Sequence, residues 1–288
     1  MSRLAILFAR PRAEQEIEDD FEAEALAAEE LGIETHVIDL DLVVDGDAER
    51  ACARLPRGRD WLLRSWMLKE EEYESLEEGV DARRGRLITD ARSYARATYL
   101  PEWYPELEDV TPASRWIEGT DLDEAWDAAR ALGDGPWIVK DHVKSVKEHW
   151  LDACFVPEGA ERARFDAVCG AMIEARGDRF ERGIVVRRFV PLRALGYREP
   201  ERAVSDEHRL FFFEGALIAH APYDDVEVAP LDVAPMRALG ERIDSPFFTI
   251  DVARTPDGGW TVIEVNDGGV SWLPAQLDPR DLFERILG

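Results

Sequence analysis

A chain of 288 residues can bury a substantial core, and its length favours about two units. Its 61 acidic residues against 35 basic ones give a formal net charge of −26, which repels nucleic acid and anionic membranes and argues against either as a partner, although a biased genome or a salty cytoplasm would leave the same surplus. Cys52, Cys154 and Cys169 form no CxxC pair and read as reduced thiols; no apolar run nears the roughly eighteen residues of a membrane span, and "LAILFA" is too short and too early for a signal peptide, so a cytoplasmic protein is expected.

In chain order, "RLAILFAR" predicts a strand. The following "PRAEQEIEDDFEAEALAAEELG" predicts a helix, with Ile17, Phe21, Ala25 and Leu31 near helical spacing, and "IETHVIDLDLVV" a second strand. This opening is a parallel α/β unit without a GxGxxG turn. "DWLLRSWML" adds a third strand that carries Arg64 among apolar neighbours, and "KEEEYESLEEG" a helix that stops at Gly79. The prolines and aromatics of "YLPEWYP" predict a connecting loop near residue 105, where the lobe changes. Next come a helix over 121–132 capped by Asp121, the strands "PWIVKDHV" and "GIVVRRFVPL", and a hairpin turning at Glu214 and Gly215. A second hairpin turns at 256–259, and "DPRDLFERILG" closes the chain as a helix.

If "PDGG" is the loop of the last hairpin, Thr255 faces Trp260 and Asp251 faces Glu264. Alternation then places Thr249, Asp251, Glu264 and Asn266 on one face. Like charges opposed on a sheet are destabilising, and a magnesium ion held by carboxylate and amide oxygens is one compensation; an exposed, screened acidic pair is the other reading. Gly268 and Gly269 are expected to let the chain turn away after Asn266.

Only Lys69, Lys140, Lys144 and Lys147 of the 35 basic residues are lysine, and three of them fall in "KDHVKSVK". A flexible point charge suits phosphate contact, while lysines at a strand edge also blunt unwanted pairing. Strand alternation puts Lys140, His142 and Lys144 on one face, with His142 more a surface or packing residue than a ligand.

Taken in order, the Lys140 strand, "VVRRFV", "EHRLFFFEG" and "FFTIDVARTPDGGWTVIEVNDG" resemble the ATP-grasp superfamily over residues 110–288. "LLRSWML", "LITDARSYARATYLPEWYP" and "KDHVKS" extend the resemblance to its clade named for one arginine and two lysines. The resemblance implies an α+β architecture: an N-terminal α/β lobe over 1–105, then an ATP-grasp domain over 106–288. That domain would comprise a lysine-bearing part (106–190) and a metal-binding part (191–288) enclosing ATP.

It further implies that Asp251, Glu264 and Asn266 hold Mg2+. Lys140, Lys144 or Lys147, and Arg209 would contact phosphate, and the chain at Arg188, Phe189 and Val190 would meet the adenine. The acid common in that linker is arginine here, and no compact glycine-rich phosphate loop follows Lys140.

The implied reaction is ATP-dependent ligation of a small-molecule or peptide carboxylate to an amine or thiol through an acylphosphate. Phosphorylation of a small molecule and a catalytically silent nucleotide-binding module are the alternatives. Arg64, an arginine in an apolar strand, needs an anionic partner, either a substrate carboxylate or an internal acid.

Overall fold

The computed structural model describes residues 4–10, 19–198, 202–226 and 228–287. They form two units: residues 4–98, 195–252 and 264–287, and residues 99–194 and 253–263. The chain thus crosses between units several times, where a single change near residue 105 was expected.

The first unit opens with β1 (Leu4–Arg10), α1 (Asp19–Glu30) and β2 (Thr35–Asp39). Ile17 of the expected helix lies outside the described residues. The second strand is shorter than its apolar run suggests. Asp39 accepts a hydrogen bond from the Leu42 N–H and so caps a short helix, α2 (Leu40–Val44), which is followed by α3 (Ala48–Cys52). Next come β3 (Asp60–Arg64), α4 (Glu70–Ala82), β4 (Arg86–Leu87) and α5 (Ala91–Thr98). Gly79 does not end α4. A Cβ there would lie 2.9 Å from the Ala48 carbonyl, so the glycine permits α3 to approach closely.

The sheet β2-β1-β3-β4 is parallel, with Leu4 opposite Asp60 and Phe8 opposite Arg64. Alternation divides β1 and β3 between two cores. Ala5, Leu7, Trp61 and Leu63 pack with Tyr73 and Leu76 of α4. On the other face Ile6, Phe8 and Leu62 pack with Phe21 of α1 and with Leu282 and Phe283 of α9 (Pro279–Leu287).

The second unit begins at α6 (Leu100–Leu107), which replaces the expected loop. Pro101 lies in its first turn, where a missing N–H costs nothing. Pro105 is less favourable, by about 3 kcal/mol in a helix interior. Burial of Leu100, Trp103 and Leu107, at roughly 1.5–3 kcal/mol each, outweighs that cost.

After it come β5 (Ser114–Trp116), α7 (Leu122–Ala131), β6 (Trp137–Asp141), β7 (Phe155–Val156), α8 (Arg162–Arg176) and β8 (Ile184–Arg188). Asp121 caps α7 as expected, accepting from the N–H groups of Asp123 and Glu124. The antiparallel sheet β5-β8-β6-β7 packs Trp137, Val139, Ile184 and Val186 on Phe165 of α8 and Trp126 of α7.

The remaining strands are β9 (Ala194–Arg198), β10 (Arg202–Ser205), β11 (Glu207–Phe213), β12 (Ala216–Pro222), β13 (Phe247–Arg254) and β14 (Trp260–Asp267). They pair as β10-β9 and β12-β11-β13-β14. The β11–β12 turn lies at Glu214 (φ 47°) and Gly215 (φ 77°), the double positive-φ geometry that matches strand twist.

At the last hairpin the Thr255 N–H donates to the Gly259 carbonyl and the Gly258 N–H to that of Thr255, with Gly258 at φ 91°. Thr255 therefore pairs with Gly259 and not with Trp260. The left-handed glycine inserts an extra residue at the turn, a bulge that the two-residue alternation argument had not included.

Candidate active site

In the first unit the site is built on β11, β13 and the end of β14. Arg209 of β11 and Asp251 of β13 are 3% and 1% exposed and form a two-pronged ion pair, Nε to Oδ1 and Nη2 to Oδ2, both at 2.8 Å. Arg209 Nη1 donates to the Trp272 carbonyl at 3.1 Å, and its guanidinium lies 4.8 Å from the Tyr223 ring centre and 5.1 Å from that of Trp272. Burial alone would lower the Arg209 pKa. The charge and hydrogen bonds of Asp251 override it and push it above its ordinary value, with smaller contributions from Tyr223 and Glu264.

Glu264 is therefore within electrostatic reach of the pair, and Asn266 is buried two residues further along β14. Asp251, Glu264 and Asn266 belong to one unit, but the Thr255–Gly259 pairing shifts the register at the turn by one residue, so the facing of Asp251 and Glu264 argued from a Thr255–Trp260 pair does not follow from it. Arg209 itself offsets part of the acids' negative charge, pairing directly with Asp251 and lying within electrostatic reach of Glu264.

The expected metal donors are two carboxylates and one amide. Among the described residues no group of three His, Cys, Asp or Glu gathers in a way that could hold a metal. Such a set does not suit zinc or a calcium cage. It fits magnesium, which keeps waters and is completed by phosphate oxygens, because each Asp251 oxygen retains a lone pair beyond its bond to Arg209.

Beyond Asn266 the chain passes over Gly268 and Gly269, and the reason for the glycines is contact rather than turning freedom. A Cβ at Gly269 would lie 2.7 Å from the Leu63 carbonyl and one at Gly268 2.6 Å from the Phe247 ring. Arg64 ends β3 directly beneath. Fully buried, it donates Nε and Nη2 to the two oxygens of Glu24 at 2.5 and 2.7 Å, Nη1 to the Gly268 carbonyl and Nη2 to the Ser271 carbonyl. The anion that Arg64 requires is thus internal. A substrate carboxylate is not needed to satisfy it, and the substrate assignment is set aside. Asp267 is also fully buried; burial pushes its carboxyl up to about 7 against the hydrogen bonds of Thr89 and the Gly269 N–H.

In the second unit β6 ends at Asp141, so strand alternation does not extend to Lys144 as expected. The Asp141 carboxylate accepts from the N–H groups of Val143 (2.7 Å) and Lys144 (2.6 Å), folding the chain back, and it is anchored by Arg176 Nε at 2.6 Å. Lys140, 6% exposed, donates to the Val143 carbonyl at 2.7 Å across this turn. Lys144 is half-buried and Lys147 exposed in a single turn of 3-10 helix over Lys147–His149. Burial pushes the Cys154 thiol up to about 11, opposed by the charges of Lys147 and Lys140, which places both lysines near that thiol.

His142 is buried with Nε2 3.0 Å from the Ile117 carbonyl, so of the two roles expected, surface or packing, it takes the packing one. At the proposed adenine linker the Phe189 N–H donates to the Pro136 carbonyl at 3.0 Å. The Phe189 ring contacts Phe155 and Trp150, with centres 5.3 and 6.1 Å away, and Arg188 donates to the Leu132 carbonyl at 2.5 Å.

Sequence reasoning missed Glu24, Asp141, Tyr223 and Trp272. Asp141 had a signal, since an Asp at a strand end next to a lysine is suited to bonding the N–H groups two and three residues on. Glu24 had none, being one acid among many in α1.

Several solved structures share the fold along nearly the whole chain. A RimK domain protein ATP-grasp from Sphaerobacter thermophilus DSM 20745 superposes with a TM-score of 0.59 at 15% identity, covering 99% of this chain and 100% of that one. D-cycloserine synthetase DcsG gives 0.60 at 16% identity over 98% and 99%. The ATP-grasp ligase PsnB, complexed with minimal precursor, Mg and ADP, gives 0.59 at 10% identity over 99% and 97%. No curated protein matches the sequence. The model of an ATP-grasp domain, family 3 of the clade named for one arginine and two lysines, matches residues 131–286, more than half of the chain, and the chain therefore belongs to that ATP-grasp family.

Proposed function

We propose that this protein is a cytoplasmic ATP- and magnesium-dependent ligase that joins a small-molecule or peptide carboxylate to an amine or thiol. The observation that carries this reading is the buried Arg209–Asp251 pair with Glu264 in electrostatic reach, on strands that continue to Asn266, in a chain of an ATP-grasp family. PsnB, of similar fold, was solved with a precursor, Mg and ADP, which supports the cofactors and the peptide class of substrate.

Asp251, Glu264 and Asn266 would hold the metal. When bound, magnesium supplies positive charge that offsets the phosphate charge and orients the phosphates. Lys140, with Lys144 or Lys147, and Arg209 neutralise charge building on the transferred phosphoryl group. Arg188, Phe189 and Val190 flank the base; the Phe189 N–H is engaged by Pro136, which leaves Val190 as the backbone donor there.

A carboxylate oxygen of the substrate attacks the γ-phosphorus and ADP departs, giving an acylphosphate. The amine or thiol then attacks the acyl carbon and loses its proton as phosphate leaves. No side chain needs to act as a nucleophile, so these residues position and neutralise.

A second reading, a nucleotide-binding module without turnover, is favoured by one observation: Arg209 and Asp251 already satisfy each other. Incubation with ATP, Mg2+ and pooled amino acids and short peptides separates the readings. A ligase yields ADP, phosphate and a new amide or thioester in equal amounts, a kinase leaves a phosphorylated product, and a silent module binds ATP and releases no ADP. Glu264→Gln should lower turnover by at least a hundredfold while circular dichroism and melting remain those of the wild type; full activity would remove the metal assignment.

A further inference from the structure

The chain that follows the proposed metal ligands is held from below by a buried ion pair that belongs to a different part of the first unit. Arg64 and Glu24 have side chains 0% and 3% exposed. A buried pair of this kind rarely adds stability over apolar residues of the same size, because the desolvation of two charges consumes most of their attraction. What distinguishes this pair is where its remaining donors go. Nη1 meets the Gly268 carbonyl and Nη2 the Ser271 carbonyl, so the guanidinium spans the segment that begins two residues after Asn266.

The same segment is fixed at several other points. The Ser65 N–H, next to Arg64, donates to the Gly269 carbonyl at 2.9 Å, and the Gly269 N–H donates to Asp267 Oδ1 at 2.8 Å. Ser271 Oγ donates to the Asp267 carbonyl and lies 2.8 Å from Thr249 Oγ1 on β13, two residues from Asp251. Arg209 takes the Trp272 carbonyl. The carbonyls of 268, 269, 271 and 272 are thus each engaged, and Gly269 sits too close to Leu63 to admit any side chain.

We propose that Arg64, oriented by Glu24, is a positioning residue for the metal set: by holding the Gly268 and Ser271 carbonyls it fixes the exit of β14 and with it the side-chain direction of Asn266. The inference rests on the metal reading given above. Arg64 touches no reacting atom. A lysine in its place keeps the charge but offers a single nitrogen, which cannot span Glu24 and two carbonyls in one plane.

The test uses Mn2+ as a probe for the divalent ion, with binding to the whole chain followed by the electron paramagnetic resonance of free Mn2+, with and without the non-hydrolysable analogue AMPPNP. For Arg64→Lys with wild-type circular dichroism, Mn2+ affinity in the presence of AMPPNP should fall at least tenfold, while AMPPNP binding in EDTA changes by less than twofold. The double variant Arg64→Lys/Asn266→Ala should bind Mn2+ no more weakly than Asn266→Ala alone, because the first change acts through the second residue. A purely structural role predicts additive losses and a parallel loss of metal-free binding, and either result overturns the proposal. Unchanged Mn2+ affinity in Arg64→Lys overturns it as well and leaves the metal assignment standing. A wild-type protein that binds no Mn2+ with AMPPNP overturns both. If Arg64→Lys does not fold, Glu24→Gln decides: it keeps the shape of the pair, and a folded variant with wild-type Mn2+ affinity ends the proposal, whereas one weakened threefold or more sustains it.

Discussion

Arg64, Arg209 and Asp141 are buried charges for which the chain itself supplies counter-ions, and only one side of each arrangement was visible beforehand. An arginine inside "DWLLRSWML" signals that some acid must be near, since an unpaired buried guanidinium is prohibitive. Which acid is a matter of helix placement on a sheet face, and Glu24 carries no local mark that separates it from its neighbours in α1. His142 shows the neutral counterpart. Its burial, opposed by the hydrogen bond to Ile117 and the charge of Glu118, lowers its pKa below the usual value. The unfolded chain then takes up the proton first as pH falls, so this contribution to stability is present above about pH 6.5 and is lost as pH drops through that range. In urea denaturation, wild type should lose more stability between pH 7.5 and 5.5 than His142→Gln; identical losses would show that His142 is not held neutral by the fold.

At the scale of elements, the apolar pattern located the strands well because these runs are buried on both faces of their sheets, as in β1, β3, β8 and β11. It failed where a side chain competes with the ladder for backbone groups. Asp39 ends β2 by capping α2, and Asp141 ends β6 by folding the next three residues. Proline was misleading in α6 because burial of Leu100, Trp103 and Leu107 lay outside any local rule. The order of Asp251, Glu264 and Asn266 along the hairpin was legible, whereas the bulge at Gly258 was not, since "PDGG" suits both a two-residue and a three-residue loop. Glycine offers a direct check on element packing. Gly183, just before β8, lies so close to the Ile117 carbonyl that an added Cβ would be 1.9 Å away, with His142 Nε2 at 2.8 Å. Gly183→Ala should cost about 3 kcal/mol or more, through separation of β8 from the 117–119 segment. Gly170, exposed in α8 with nothing within 4 Å of a Cβ, is the control: Gly170→Ala should gain up to about 1 kcal/mol. Equal effects from the two, measured as urea midpoints, would contradict the close approach.

Across the whole molecule the acidic surplus was the first property visible, and its physical effect is separate from the site. Among the described residues most ion pairs lie at the surface, such as Arg130 with Asp134 and Arg162 with Asp166, and pairs of that kind contribute only about 0–1 kcal/mol each. With 61 acids against 35 bases the acids outnumber every possible partner, so the long-range sum is repulsive and destabilises the compact state relative to the expanded one. Added salt shortens the screening length to about 8 Å at 0.15 M and weakens both terms. The repulsion acts over longer distances than the contact pairs and is therefore screened more completely. Raising NaCl from 20 mM to 0.5 M should accordingly increase the melting temperature by about 2–3 °C, on the order of 1–2 kcal/mol for a chain of this length. KCl at the same ionic strength should do the same, because screening depends on ionic strength and not on the identity of the cation. A melting temperature that falls with salt would mean that local pairing, not net charge, governs the electrostatic stability of this chain.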